Sequence, residues 1–180
     1  MGQAQEKNST EQAQKNFFEL LAKFDNAMLV TQTGTGGAPH ARPMAIAETS
    51  EDGSIWFITG ADTPKIDELE RNSNVVAIMQ NARQWLTVSG HAELHRDRAR
   101  IHKVWKEAFR AWFDGKDDPN IVLIRVNPNE AEYWDNTGKN AIKFALTFAA
   151  AYLGGRRGGE SGGRKTGEPE DVDTHAKVQL

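Results

Sequence analysis

The stretch HARPMAIAETSEDGSIWFITGADTPK, residues 40–65, decides how the chain is read. Pro39 to Glu48 reads as a strand, Glu51-Asp52-Gly53 as a turn, and Ser54 to Gly60 as the next strand. Thr63-Pro64 then starts a helix, because threonine is a favoured cap and proline suits the first helical position, where its missing N–H costs nothing. Strands joined by so short a turn make a meander rather than a β-α-β alternation.

The neighbouring segments extend that pattern. Upstream, residues 1–9 read as a flexible N-terminus and Ser9 or Thr10 as a helix cap. Phe17, Leu20, Leu21 and Phe24 recur on one face of a helix ending near Asp25-Asn26. Ala27 to Thr33 is a buried strand, and Gly34-Thr35-Gly36-Gly37 a turn. Downstream, the Thr63 helix ends near Asn72-Ser73-Asn74, followed by strands Val75 to Gln80 and Gln84 to His95. In the latter, Leu86, Val88, Ala92 and Leu94 share a face opposite Trp85, Thr87, Ser89, His91, Glu93 and His95. Asp97 caps a further helix, lined on one side by Ile101, Val104, Trp105, Ala108, Phe109 and Trp112.

Ile121 to Val126 and Ala131 to Asp135 read as two strands separated by Asn127-Pro128-Asn129, and Asn140 to Leu153 as an apolar helix. Residues 154–180 hold seven glycines and few large apolar side chains, which predicts a disordered tail. The expected architecture is mainly β (α+β): one domain over residues 10–153, a closed or partly closed antiparallel barrel of six to seven strands with helices packed outside.

Bulk properties exclude several function classes. A net charge of −3 offers no electrostatic case for nucleic acid or an anionic membrane as the main partner. The tail's Gly-Gly-Arg-Arg and Gly-Gly-Arg-Lys do not change this, since its five basic residues are matched by five acidic ones. With no cysteine there is no thiol catalysis, disulfide or Cys-ligated metal. Met1 to Lys15 is polar, without the apolar core of a signal peptide, and no run is long enough for a membrane span, so a cytoplasmic protein is expected. No P-loop or G-x-G-x-x-G is present.

The residues that can carry chemistry cluster in the quoted stretch. Thr59, Gly60, Thr63 and Lys65 lie where a strand runs into a helix N-terminus, a setting that favours an anion, with hydroxyl donors and a point charge beside it. The alternative is a plain cap with a solvated lysine. Arg42 stands in an apolar strand and needs either an anionic ligand or a carboxylate such as Glu48 or Asp52. Pro43 cannot donate to a ladder, so its strand is an edge or bulges there.

Trp56 and Ile58 share one face of the next strand, Ile55 and Phe57 the other. Both faces are apolar, so the one outside the barrel must meet a helix, a second subunit or a flat ligand. His91, Glu93 and His95 alternate on one strand, as a metal site or as a solvated face. Trp105, Phe109 and Trp112 fit a core or dimer contact.

Taken in order, Ala-Arg-Pro-Met (41–44), Ile-Trp-Phe-Ile-Thr (55–59), Thr-Pro-Lys-Ile (63–66), Trp-Leu-Thr-Val-Ser-Gly-His-Ala-Glu-Leu (85–94) and Glu-Ala-Glu-Tyr-Trp-Asp (130–135) resemble the pyridoxamine 5′-phosphate oxidase-like FMN-binding split-barrel superfamily, in particular its general stress protein subgroup. The resemblance spans roughly Thr10 to Tyr152. It implies a homodimer with two FMN sites at the subunit interface. Arg42, Pro43 and Met44 would border the isoalloxazine and ribityl chain, and Trp56, Phe57 and Ile58 would lie along the flavin. Thr59 would sit near the phosphate, with Thr63 and Lys65 on it. Gln80 and Trp85 would complete the site, with Trp134 contributed by the second subunit. FAD remains an alternative cofactor.

Pyridoxamine phosphate oxidases proper carry arginine-rich substrate signatures near the C-terminus, where this chain has an apolar segment and a glycine-rich tail. The resemblance therefore points to a flavin-binding stress protein, with the flavin as redox group if the protein is an enzyme, rather than to that oxidase activity. His40 is the nearest candidate acid or base. The competing readings are a non-catalytic flavin sensor or reservoir, and a metal-dependent barrel built on His91, Glu93 and His95.

Overall fold

The computed structural model describes residues 2–33, 37–137 and 175–180. In chain order the elements are α1 (Gly2–Leu21), β1 (Asn26–Gln32), β2 (Pro39–Thr49), β3 (Ile55–Gly60), α2 (Pro64–Arg71), β4 (Asn74–Gln80), β5 (Gln84–His95), α3 (Arg98–Val104), a 3-10 turn (Glu107–Ala111), β6 (Ile121–Asp135) and β7 (His175–Gln179). All strand pairings are antiparallel, in the order β3-β2-β1-β4-β5-β6-β7. An added β3–β6 ladder, from Ile55↔Val126 to Gly60↔Ile121, closes the first six strands into a barrel.

Two apolar clusters hold it together. The barrel interior combines Leu29, Met44, Ile55, Phe57, Met79, Leu86, Val88 and Ile124 with the α1 residues Phe17, Leu20 and Leu21, which plug one end. The helical spacing expected of these α1 side chains is what buries them. The second cluster lies outside β3 and β6, where Trp56, Ile58, Ile121 and Leu123 are covered by Ile101 and Val104 of α3 and Phe109 of the 3-10 turn. A helix-and-turn cover is thus what meets the outer face of β3.

Several elements depart from the sequence reading. The first helix reaches back to Gly2 instead of starting at Ser9 or Thr10. From Gln3 to Leu21 nothing breaks a helix, and a serine or threonine acts as a cap only where the preceding residues leave helical geometry. The expected pair of strands around Asn127-Pro128-Asn129 is one strand, β6. Between Ser89↔Glu130 and Gly90↔Pro128 the register slips by one residue, and this bulge absorbs the proline without ending the ladder.

The aromatic stripe is divided. α3 stops at Val104, and beyond the 3-10 turn Trp112 is 68% exposed, while Phe109 is buried. A break at Trp105-Lys106 resets the helical phase, so spacing counted through it fails.

The tail reading is corrected at its end. His175–Gln179 forms β7, paired with Glu130 to Trp134, and Val178 is 2% exposed in the barrel cluster. Composition averaged over a glycine-rich window hides a short strand whose partner edge lies far upstream. The expected helix at Asn140 to Leu153, the rest of the tail and most of the Gly34–Gly37 turn lie outside the described residues. Among the described residues no helix is long and apolar enough to cross a membrane.

At Gly90 a Cβ would lie 2.1 Å from the Asn127 carbonyl oxygen, so the bulge leaves room only for glycine. Gly90→Ala should destabilise the fold by about 2 kcal/mol or more, as overpacking against backbone does. Urea unfolding would measure it, and a loss under about 0.5 kcal/mol, the level of an ordinary surface substitution, would contradict this account.

Candidate functional site

β2 and β3 pair over only a short stretch, Ile46↔Phe57 to Thr49↔Ile55, with a bulge at Ala47. Upstream, Pro39 to Ala45 of β2 pairs with β1 alone. Beyond Phe57, β3 pairs with β6 alone. The two strands therefore part, and Pro43 stands on the open edge of β2, as a residue without an N–H should. The chain leaves β3 at Gly60 and enters α2 at Pro64, which brings the helix N-terminus to the mouth of this split.

Four of the expected site residues meet there. Lys65 Nζ donates to Thr59 Oγ1 at 2.7 Å, and Thr63 Oγ1 lies 3.4 Å from Thr59 Oγ1. Thr63 holds the cap position of α2, but its hydroxyl donates to the Gly60 carbonyl (2.8 Å) and makes no capping bond. Its side chain thus ties the loop back, while Pro64 has no N–H to offer and the Ile66 N–H donates to the Thr63 carbonyl at 3.0 Å. Lys65 is half-buried, and burial, followed by the nearby Arg42 charge, pulls its ammonium below the usual lysine range. Among the described residues no carboxylate lies within ion-pair distance of it. The Glu68 and Asp62 charges act on Lys65 in the opposite sense but more weakly, so two cations close together form a setting that an anion would relieve.

Arg42 is the second cation, and its partner is neither Glu48 nor Asp52. Glu48 pairs with Arg100 (2.8 Å) and Asp52 with Arg125 (2.7 Å). Arg42 is held by Glu68 of α2, through Nη1 to Oε2 (2.8 Å) and Nη2 to Oε1 (3.3 Å). The Glu68 side chain is 7% exposed, and it also accepts from Thr31 Oγ1 of β1 and meets His40 Nδ1 at 3.0 Å. The Arg42 hydrogen bonds outweigh burial and, with Thr31 and His40, lower its pKa from 4.5 to about 2. Glu68 and Thr31 were not singled out in the sequence, and no local signal marks them. Glu68 sits between the buried Ile66 and Leu69 and meets its partners only after α2 docks on the barrel.

The other expected site residues lie elsewhere in the protomer. Met44 and Phe57 point into the barrel. Trp56 and Ile58 belong to the cluster under α3. The Trp56 indole donates to Ser50 Oγ and carries the Arg100 guanidinium 4.0 Å above its ring. These four residues can meet a ligand at the split only through backbone.

Gln80, Trp85 and Trp134 form a cross-strand row on β4, β5 and β6. β1 lies between β2 and the near end of that row on β4, a separation of roughly 10 Å or more at ~4.8 Å per strand. They do not join the Lys65 group within one protomer.

The metal alternative finds no support. His91 and His95 are four residues apart on an extended strand, about 13 Å at ~3.4 Å per residue. His91 meets Asn129 and His95 meets Glu93. Among the described residues no group of three or more His, Cys, Asp or Glu could hold an ion.

A pyridoxamine 5′-phosphate oxidase-like family model matches residues 12–158. General stress protein 26 of Bacillus subtilis is 32% identical over 100 residues, which cover 52% of this chain and 69% of that protein. Protein bli-3 of Neurospora crassa is 29% identical over 128 residues, 64% of this chain, and the match spans only 61% of bli-3. A crystal structure of the general stress FMN/FAD binding protein from the phytopathogen Xanthomonas citri superposes with a TM-score of 0.61 at 29% identity, covering 72% of this chain and 93% of that one.

The Glu68 network makes acid stability predictable. A carboxyl whose pKa is lowered on folding stabilises the fold above its ordinary pKa of 4.5, and that contribution is lost as pH falls from there to about 2. Glu68→Gln should therefore be less stable at pH 7 and lose less stability between pH 4.5 and 2 than the parent. Parallel stability–pH curves from urea unfolding would refute the assignment.

Proposed function

The chain belongs to the pyridoxamine 5′-phosphate oxidase-like family, and on that premise we propose that it binds FMN in the split between β2 and β3 and works as a cytoplasmic, flavin-dependent stress protein. The observation that carries this reading is the meeting of Lys65, Arg42, Thr59 and Thr63 at the mouth of the split, beside a helix N-terminus. Two cations and two hydroxyls beside a helix N-terminus suit a terminal phosphate. The open edge of β2 at Pro43 and Met44 offers backbone to a flat ring, with no side chain required. A bound flavin would supply the redox chemistry, and the protein its orientation and electrostatics. FAD, with its AMP half extending past the mouth, is the cofactor to compare with FMN.

The reading includes a homodimer. Pro43, Met28 and Ile78 are cross-strand neighbours on the outer face of β2, β1 and β4, and Met28 and Ile78 are each 40% exposed. Such a contiguous apolar face suits a subunit contact. A second copy across it is also the route by which Gln80, Trp85 and Trp134 could reach a flavin they cannot reach within one protomer.

Three outcomes are expected. Lys65→Ala should weaken FMN at least tenfold and leave riboflavin within about twofold, a loss of about 1.4 kcal/mol specific to the phosphate. Fluorescence titration measures both, and equal losses would remove the phosphate role. Met28→Asp should shift the protein from dimer to monomer on size exclusion with light scattering; a monomeric parent would end the interface reading. Bleaching of bound flavin by NADH or NADPH under anaerobic conditions is expected of an enzyme, whereas flavin that stays oxidised would favour the reservoir.

A further inference from the structure

Glu68 is paired with one of the two cations at the split, and the flavin reading assigns it no task. It is almost fully buried on α2 and accepts hydrogen bonds or ion pairs from three side chains on two strands: Thr31 of β1, and His40 and Arg42 of β2. Lys65, the other cation, stands one helical turn earlier on the same α2. We propose that Glu68 is a positioning residue of the anion site, holding Arg42 on β2 at a fixed place relative to Lys65 on α2 so that the two cations converge on one phosphate. The proposal rests on the phosphate reading above.

The geometry of the guanidinium carries the argument. Arg42 spends one N–H from each terminal nitrogen on the two Glu68 oxygens. A guanidinium has five N–H donors in a rigid plane, so three remain, Nε–H among them, on the sides turned away from Glu68. The paired head cannot rotate freely, and its remaining donors have fixed directions. Arg42 is still 22% exposed at the side chain, so those donors remain within reach of a ligand.

Two effects of the carboxylate oppose each other. Its charge repels an incoming phosphate, whereas its bonds remove the freedom of a long side chain that would otherwise be lost on binding. Lys65 also feels the Asp62 carboxylate, so two cations face two carboxylates and charge count alone does not favour a phosphate. What Glu68 adds is the fixed orientation of the Arg42 head, and removing it should weaken phosphate binding in spite of the charge it takes away.

A double-mutant cycle read on two flavins tests this. In the parent, FMN should bind at least tenfold more tightly than riboflavin. Glu68→Gln should weaken FMN about tenfold and leave riboflavin within twofold. In an Arg42→Ala background, Glu68→Gln should change FMN by less than twofold, because the residue it positions is gone. A brace that only holds α2 to the barrel would weaken both flavins alike, and that outcome overturns the proposal. So does a tenfold FMN loss that persists without Arg42.

If the Gln variant does not fold, Glu68→Asp serves instead. It keeps the charge but withdraws it by one methylene, and the same FMN-selective loss is expected; an equal loss of both flavins again overturns the proposal. A parent protein with no preference for FMN over riboflavin overturns the phosphate reading itself, and this result is distinct from a parent that prefers FMN with a variant that loses both.

Discussion

The ladder from Ile55↔Val126 to Gly60↔Ile121 is the constraint on which the rest of the molecule depends. On that edge β3 pairs with β6 along its whole length, while on its other edge it meets β2 only from Ile46↔Phe57 to Thr49↔Ile55. The barrel thus closes on one side of β3 and splits on the other. The same ladder buries β3 on both faces, Ile55 and Phe57 inward and Trp56 and Ile58 beneath α3. A strand so enclosed reads as a continuous apolar run. It also delivers Thr59 and Gly60 to the barrel rim with little freedom, and the loop that follows sets the start of α2 beside them.

β6 can close the barrel because it is long. Its first half pairs with β3 and its second half with β7, while β5 pairs along almost its whole length. A bulge opposite Gly90 lets the strand pass Pro128 without ending, and the close approach of the Asn127 carbonyl is the local cost of that continuity. β7 then covers an edge that would otherwise be open to pairing with another chain. Lys177 pairs with Glu130 at 2.8 Å across it, and Val178 adds to the interior.

Charge in the protomer is organised in separate groups. On the outer side, Arg100 and Arg125 stack near Trp56 and pair with Glu48 and Asp52. At the barrel rim, Glu68 draws Arg42, His40 and Thr31 together while Lys65 is left with a hydroxyl. The first group consists largely of opposite charges paired with each other. In the second, no carboxylate among the described residues lies within ion-pair distance of Lys65, and this asymmetry is why the anion is proposed at the rim rather than at the Trp56 cluster.

What the sequence by itself determined was whatever depends on neighbours along the chain. Strand alternation, the Thr63-Pro64 helix start, the helical face of Phe17, Leu20, Leu21 and Phe24, and the grouping of Thr59, Thr63 and Lys65 are all short-range patterns, and all were legible. The motif order along residues 41–135 also carried the family. Only the tertiary structure decided which carboxylate holds Arg42, since the sequence pointed to the nearby Glu48 or Asp52 and Glu68 is 26 residues away. Tertiary contacts also decided that His175–Gln179 is a strand, because its partner edge on β6 lies some forty residues upstream. They likewise gave the two faces of β3 different tasks. The physical reason is the same in each case: periodicity and capping are encoded within one or two turns of chain, whereas pairing of charges and edges depends on distances that exist only after the barrel has closed.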